Sequence, residues 1–315
     1  MRAFFLLAFF SSSVLAQFPA HPITMVVGFA PGGGTDITAR IVAKKLSDEF
    51  GQQVVVENKP GAGGNISVEL IAKSAPDGYS IVLANVGSLT VAPYIVSRLA
   101  YDTRRDLAPV SMAVVFPNVL VVHPSLGVKT FAEFIKLARD KPGSISYGSS
   151  GIGGTGHLAG ELLRMVAGID IVHVPYKGGG PAAADLLGGQ IGAVFATVAS
   201  SITHIKAGKI YALAVTGAKR SQALPEVPTI AESGFPGYEA TNWYAYMLPA
   251  KTPRDIVERW NLELRKALDA PDVHQQLAVH GLDPAPSSPE ELARYIDREL
   301  ETWGRVVKQA GIKAD

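Results

Sequence analysis

The chain of 315 residues contains no cysteine. Disulfides, a lipid-modified N-terminal cysteine and thiolate chemistry are therefore excluded together. Neither charge is in excess: Lys and Arg number 29, Asp and Glu 28. A phosphate backbone calls for a basic face, so nucleic acid is not an expected partner. Past the first 16 positions no apolar run approaches the ~20 residues that span a bilayer. The seven histidines are scattered, with no H-x-x-x-H or H-E-x-x-H spacing, and no metal is expected.

What is present starts at the N-terminus. MRAFFLLAFFSSSVLA carries one charge, Arg2, then an apolar stretch over 3–10 and small residues at Val14 and Ala16. This is the pattern of a secretory signal peptide (1–16) cut after Ala16. Its removal takes Arg2 with it and leaves the charges balanced. Export without disulfide staples fits a soluble protein of the bacterial periplasm. The remaining chain is long enough for two lobes, each with its own core.

Apolar strands then alternate with amphipathic helices. Strands are expected at 23–29, 53–57, 80–84, 119–123, 144–148, 171–175, 192–196 and 211–216. Helices are expected at 37–50, ended by Gly51, and at 66–73, 131–139 capped by Thr130, 156–166 and 181–187. A β-α-β rhythm of this kind implies mostly parallel sheets covered on both faces. After Lys251 the rhythm stops and helices are expected to the end. TPRD (252–255) and SPEE (288–291) read as capping boxes with proline at the first helical position. Trp260, Leu264 and Leu268, then Leu292, Ile296 and Leu300 with Trp303 or Val307, recur at helical spacing and read as core. No stretch between 100 and 250 resembles a flexible linker, so strands should join the lobes, with 119–124 and 242–249 as crossings.

Two glycine-rich loops stand between strand and helix, GFAPGGGTD (28–36) and SSGIGGTGH (149–157). A helix opening after such a loop offers free backbone N–H groups and the positive end of its dipole, which is a seat for an anion. Dinucleotide binding fits poorly. Glu57 lies about twenty residues on, but Ile37 occupies the place of the third glycine or alanine. No lysine follows the glycines as in a phosphate-binding P-loop, so no cofactor is expected. Gly148-Ser149-Ser150-Gly151 fails as a nucleophile elbow at Ile152, and His157 and Asp185 are weak triad partners. Thr35, Ser149, Ser150 and Thr155 add hydroxyl donors, and GGGP (178–181) starts a third helix. With no arginine in the loops, capture by N–H groups and bridging water suits a carboxylate better than a phosphate. Asp36 is awkward beside an anion; it should bond to loop amides or to a polar group at the far end of the ligand.

These runs, together with ENKPGAGGNI (57–66), PDGY (76–79), VPYKGGGPAAADLLGGQI (174–191), HIKAGKI (204–210), LPEVPTIAESGFPGYE (224–239) and NWYAYMLPAKTP (242–253), resemble the Bug family. Its members are periplasmic substrate-binding proteins of tripartite tricarboxylate transporters. The resemblance spans the chain after the leader. It implies a two-lobed α/β fold of the type II (Venus flytrap) class, with residues 17–120 plus 248–315 as one discontinuous domain and 121–247 as the other. It implies a receptor, not an enzyme: a monomer that captures a small carboxylate and presents it to a membrane permease driven by an ion gradient. The grip would fall to the stretch Phe29–Thr35, with Phe29, Ala30, Pro31, Gly32, Gly33 and Thr35 as its ligand-binding residues and Asp36 next to them. Ser149, Ser150, Thr155, Gly156 and His157 would supply the other, with Tyr176, Asp185, Thr197 and Asn242 also near the cleft. Where many relatives carry an acid after Phe195, this chain has Ala196-Thr197, which favours a ligand without a basic group. Readings left open are an orphan sensor of the same fold and a periplasmic hydrolase.

Overall fold

The computed structural model describes residues 18–311 and 313; the expected signal peptide lies outside them. The elements run β1 (Ile23–Val27), α1 (Gly34–Phe50), β2 (Val54–Asn58), α2 (Asn65–Ala72), β3 (Ser80–Asn85), α3 (Ala92–Ile95), β4 (Leu107–Val122) and α4 (Phe131–Asp140). Next come β5 (Ser146–Ser149), α5 (Thr155–Ala167), β6 (Val172–Pro175), α6 (Gly179–Leu187), β7 (Ala193–Thr197), α7 (Val198–Lys206) and β8 (Tyr211–Val215). The chain ends with β9 (Thr241–Pro249), α8 (Arg254–Asp269), α9 (Pro271–Ala278), β10 (Asp283–Pro284) and α10 (Pro289–Ala310).

One curled sheet runs β2-β1-β3-β9-β4-β7-β5-β6, with β10 and β8 also on β4. The long strand β4 joins its two halves. Residues Leu107 to Pro117 pair with β9, and Asn118 to Val122 pair with β7. Parallel pairing holds where βαβ units build the sheet, between β1 and its neighbours β2 and β3, and between β5 and its neighbours β6 and β7. Every strand on β4, and β3 on β9, is antiparallel. The mostly parallel expectation is thus corrected at the centre, because β4 and β9 belong to no βαβ unit.

Alternation along the strands buries both faces. In the first half Met25, Ile81 and Leu83 face Leu46, Trp260 and Leu264, whereas Val26, Val82 and Ala84 face Val68, Ile71, Leu292 and Ile296. In the second half Leu120 and Val122 pack with Phe134, Tyr147 and Leu163; Val119 and Val121 face Leu186 and Ile202. The helical stripe of Trp260, Leu264 and Leu268 is fully buried, as its spacing requires.

Other expectations are corrected in detail. β4 starts twelve residues before the expected 119, because Pro109, Ser111 and Pro117 disguise it; the register shifts between Pro109 and Ser111 absorb one proline. α7 was not expected, since VASSITHIK carries β-branched and serine residues that favour other conformations. Thr130 and Ser288 form capping boxes. Thr252 does not, because its hydroxyl donates instead to the Pro249 carbonyl at 2.8 Å, and α8 starts from Pro253. The C-terminal region also holds one short strand, β10, against β4.

Candidate functional site

Three helices begin at one small cavity. Gly33, Gly34 and Thr35 line it from the N-terminus of α1, Gly179 and Ala182 from α6, and Thr197 from the cap of α7. Amide groups at a helix N-terminus lack an intrahelical acceptor and carry the positive end of the dipole. All three therefore bias the same space toward negative charge. The space is about 20 Å³, room for about one water-sized group. Asn118 from β4 with Asn242 and Tyr244 from β9 form its floor, and Phe29, Asn85 and Ser150 its walls. Among the described residues no acid, lysine or arginine lines it.

A second cavity of about 190 Å³ shares Phe29 and Ser150 with the first and is lined by Gly61, Ala62, Ile152, Pro175, Tyr176 and Lys177. Its wall is largely apolar, and Lys177 is its charged residue. Around both cavities the two halves of the fold meet through backbone. The Ala30 amide donates to the Lys177 carbonyl at 3.0 Å. A Cβ placed on Gly180 would lie 2.6 Å from the Pro31 oxygen, and one on Gly63 2.6 Å from the Ile152 oxygen.

Of the expected residues, Phe29, Gly33, Thr35, Ser150, Thr197 and Asn242 come together around the first cavity. Tyr176 lines the second, and its hydroxyl donates to Asp185 at 2.8 Å; burial, then the Asp185 carboxylate, push the phenol up to about 12. Ala30 and Pro31 lie on the seam between the halves. Asp36 does not line either cavity. Its carboxylate accepts from the Gly32 amide at 3.1 Å and from Asn58 Nδ2 at 2.9 Å, and it pairs with Arg40 at 2.9 Å. Of its two suggested partners, the loop amide is the one it holds. Burial alone would raise its pKa, but Arg40, Asn58 and the Gly32 amide outweigh burial and hold it below the usual value.

The second glycine loop sits differently from the first. Ser149, Thr155, Gly156 and His157 are buried behind the cavity wall and do not line it. Gly156 packs so closely that a Cβ would stand 2.4 Å from the Phe195 oxygen. His157 Nδ1 accepts from the Gly153 amide at 3.1 Å, and its ring stacks on His173 at 4.1 Å. His173 Nε2 bonds to Ser149 Oγ at 2.7 Å. Burial, and for His173 the adjacent His157, lower both pKa values, that of His173 to about 3. The serine–histidine pair is therefore formed by His173, not His157, and Ser149 is fully buried, out of reach of a substrate. Asp185 bonds to Tyr176 and is no triad member.

Several lining residues escaped the sequence reading. Asn118 and Tyr244 sit inside long strands, where no local pattern separates a floor residue from a core one. Asn85 ends β3, and its Oδ1 accepts from the Ser88 hydroxyl at 2.8 Å. Gly34, inside the expected stretch Phe29–Thr35, is the residue that admits Tyr244 and Thr197, whose oxygens lie 2.9 and 3.1 Å from a Cβ built there. Gly179 had a signal in the GGGP run.

A family model described as tripartite tricarboxylate transporter family receptor matches residues 38–312. The chain belongs to this family. The receptor is 38% identical to protein BugT of Bordetella pertussis over 94% of this chain and 91% of that one. Among solved structures it resembles R. palustris Rpa4515 with adipate, at 37% identity and TM-score 0.91, covering 94% of this chain and 99% of that one. It also resembles MatC (Rpa3494) from Rhodopseudomonas palustris with bound malate, at 29% identity and TM-score 0.86, over 92% and 100% of the two chains. The receptor is accordingly a two-lobed periplasmic solute-binding protein and not an enzyme. No helix of the described residues is long and apolar enough to cross a membrane.

Proposed function

We propose that the receptor captures a small carboxylate without a basic group between its lobes and delivers it to a tripartite tricarboxylate-type permease. The observation that carries this is the meeting of three helix N-termini, α1, α6 and α7, at a cavity that neither an acidic nor a basic side chain lines. Backbone dipoles draw one carboxylate oxygen, or the water that bridges to it, into that space. An ammonium group on the ligand would find no carboxylate to pair with, Thr197 standing at the helix cap. The solved relatives with adipate and malate support the same ligand class. The apolar second cavity with Lys177 suits the remainder of the molecule.

The lobes follow the pairing of the strands. We place the hinges slightly before the expected 119–124 and 242–249, where β4 changes partner between Pro117 and Asn118 and where β9 begins at Thr241. The whole of β9 then belongs to the lobe with the N- and C-terminal segments. A carboxylate touching both lobes favours the closed arrangement by contacts that the open one lacks.

A thermal-shift panel on stripped protein tests the reading, with malate, succinate, adipate, benzoate and aspartate. A ligand at ~100 times its Kd adds about 2.7 kcal/mol, which raises Tm by several degrees. At least one plain carboxylate should do so while aspartate does not. A shift with aspartate alone, or with none of the five, overturns the reading.

A further inference from the structure

The peptide group between Ile152 and Gly153 is held from both sides. Its N–H donates to His157 Nδ1 at 3.1 Å. Its C=O faces the opposite lobe, where a Cβ on Gly63 would lie 2.6 Å from the oxygen. A peptide is planar, with N–H and C=O on opposite edges, so holding one edge aims the other. The next carbonyl, that of Gly153, abuts Gly87 of the same opposite lobe, 2.5 Å from a Cβ built there. Gly153 lies at φ +74°, where glycine has no intrinsic preference to keep it. The same segment walls the cleft: Ser150 lines both cavities, and Gly151 and Ile152 line the second. One imidazole nitrogen therefore orients a stretch of backbone that meets both the ligand space and the opposite lobe.

A backbone amide can only donate, so Nδ1 of His157 must be without a proton, and the neutral ring carries its proton on Nε2. The surroundings keep it so. His173 of β6 stacks on the ring at 4.1 Å, and Tyr147 of β5 donates to the His157 carbonyl at 3.4 Å. On α5 itself, Glu161 Oε1 stands 4.0 Å from Nε2, with Arg164 beyond it. Toward the opposite lobe the adjacent Leu158 packs on Val91, Ile95 and Val307, which are uncharged. Glu161 favours a charged ring, but it also accepts from the Tyr147 hydroxyl at 2.9 Å and pairs with Arg164 at 2.9 Å. Burial outweighs it and, with Arg164, holds His157 below the usual histidine range. A proton on Nδ1 would set two N–H groups against each other, and the peptide would have to turn. We propose that His157 is a positioning residue: its bare Nδ1 holds the Ile152–Gly153 peptide in the orientation in which the lobes meet, and protonation releases that peptide and weakens ligand binding. The released form takes up the proton more readily than the closed one, so affinity is complete above pH 6.5 and falls below it. The ligand part of this proposal rests on the carboxylate reading above; the loop part does not.

Two measurements test it. In the ligand-free receptor, NMR would follow hydrogen exchange of the Gly153 amide, whose protection factor should fall about fivefold or more from about pH 7.5 to about pH 5. A constant protection factor overturns the proposal, whether or not any carboxylate binds. Calorimetric Kd values for malate, succinate, adipate and benzoate would be taken at the same two pH values. The comparison is with His157→Asn, whose Oδ1 offers an acceptor near the place of Nδ1 and does not titrate. For each acid that binds, Kd of the unaltered receptor should rise about fivefold or more beyond the rise in His157→Asn, a difference in which the titration of the acid itself cancels. A merely structural role would shift the variant's Kd equally at both pH values, leaving equal rises, and that result overturns the proposal. Binding of none of the four acids removes the carboxylate reading, and the exchange measurement then decides the role of His157 by itself.

Discussion

His157 and His173 stack face to face beneath the second glycine loop; two imidazolium rings at 4.1 Å would repel with little solvent to screen them, and burial favours the neutral form of each. Burial and this proximity hold His173 near pKa 3, against an ordinary 6.5. The unfolded chain binds protons below pH 6.5 that the folded chain refuses, so the pair's stability is complete above that value and falls as pH drops toward 3. Asp36, whose folded pKa is depressed, adds a further loss as pH falls below its ordinary 3.8. Replacing His173→Gln leaves Ser149 Oγ a partner but removes one titration. Calorimetry should find a smaller fall in Tm between pH 7 and pH 4.5 for this variant than for the parent. Equal falls would place the acid sensitivity elsewhere. The residues involved were visible in the sequence, but their pairing was not: Ser149 and His173 are 24 positions apart and meet because β5 and β6 pair in parallel, which puts Ser149 beside Pro175 and His173 two residues back on the same face.

Among the elements, α1 shows how a helix start is built for a ligand and braced from behind. Its cap is Gly33, whose side chain offers nothing, so the first turn is tied instead by Asp36, which holds the Gly32 amide, Asn58 and Arg40 at once. The brace leaves the amides of 33–35 facing the cavity. Asp36→Ala removes a nearly buried carboxylate together with three partners and should cost about 2–3 kcal/mol, read as a lower urea midpoint at unchanged m-value. A loss below about 0.5 kcal/mol would show that Arg40, half exposed, and water replace the brace. The position of α1 was legible because an apolar stripe, a preceding strand and Gly51 agree on it. α7 was not, because its only start signal is Thr197, whose side chain accepts from the Ser200 amide, and serine at that place is a weaker mark than the glutamate of the boxes at Thr130 and Ser288.

At the scale of the whole molecule the lobes touch through glycine. Gly180 rests on the Pro31 carbonyl, Gly63 on the Ile152 carbonyl and Gly87 on the Gly153 carbonyl. Beside these contacts Leu158 packs with Val91, Ile95 and Val307 in one apolar cluster, and a ligand touching both lobes adds its own contacts to the closed form. With no Cβ, these glycines permit close approach of the lobes to each other. Gly180→Ala tests this. The Cβ would stand 2.6 Å from the Pro31 oxygen, outside both cavities, and must hold the lobes apart. Affinity for a carboxylate found in the panel should fall about tenfold or more. Tm without ligand should stay within about 2 °C, and the radius of gyration by X-ray scattering should no longer contract on binding. Unchanged affinity would mean that the seam opens and shuts without this contact.

Sequence alone determined the alternation of strands and helices, which follows from composition, period and spacing and which a linear reading sees directly. The resemblance of its motifs carried the two-lobed class and the family. Tertiary structure decided which helix starts share a cavity, bringing α6 and α7 to α1 and leaving the start of α5 behind the wall. It also decided that β4 is one strand serving two half-sheets, and that Asn118 and Asn242, 124 residues apart, share a floor. The reason is physical: a helix N-terminus attracts an anion wherever it lies, but convergence depends on crossovers and strand register, which link positions that no local pattern connects.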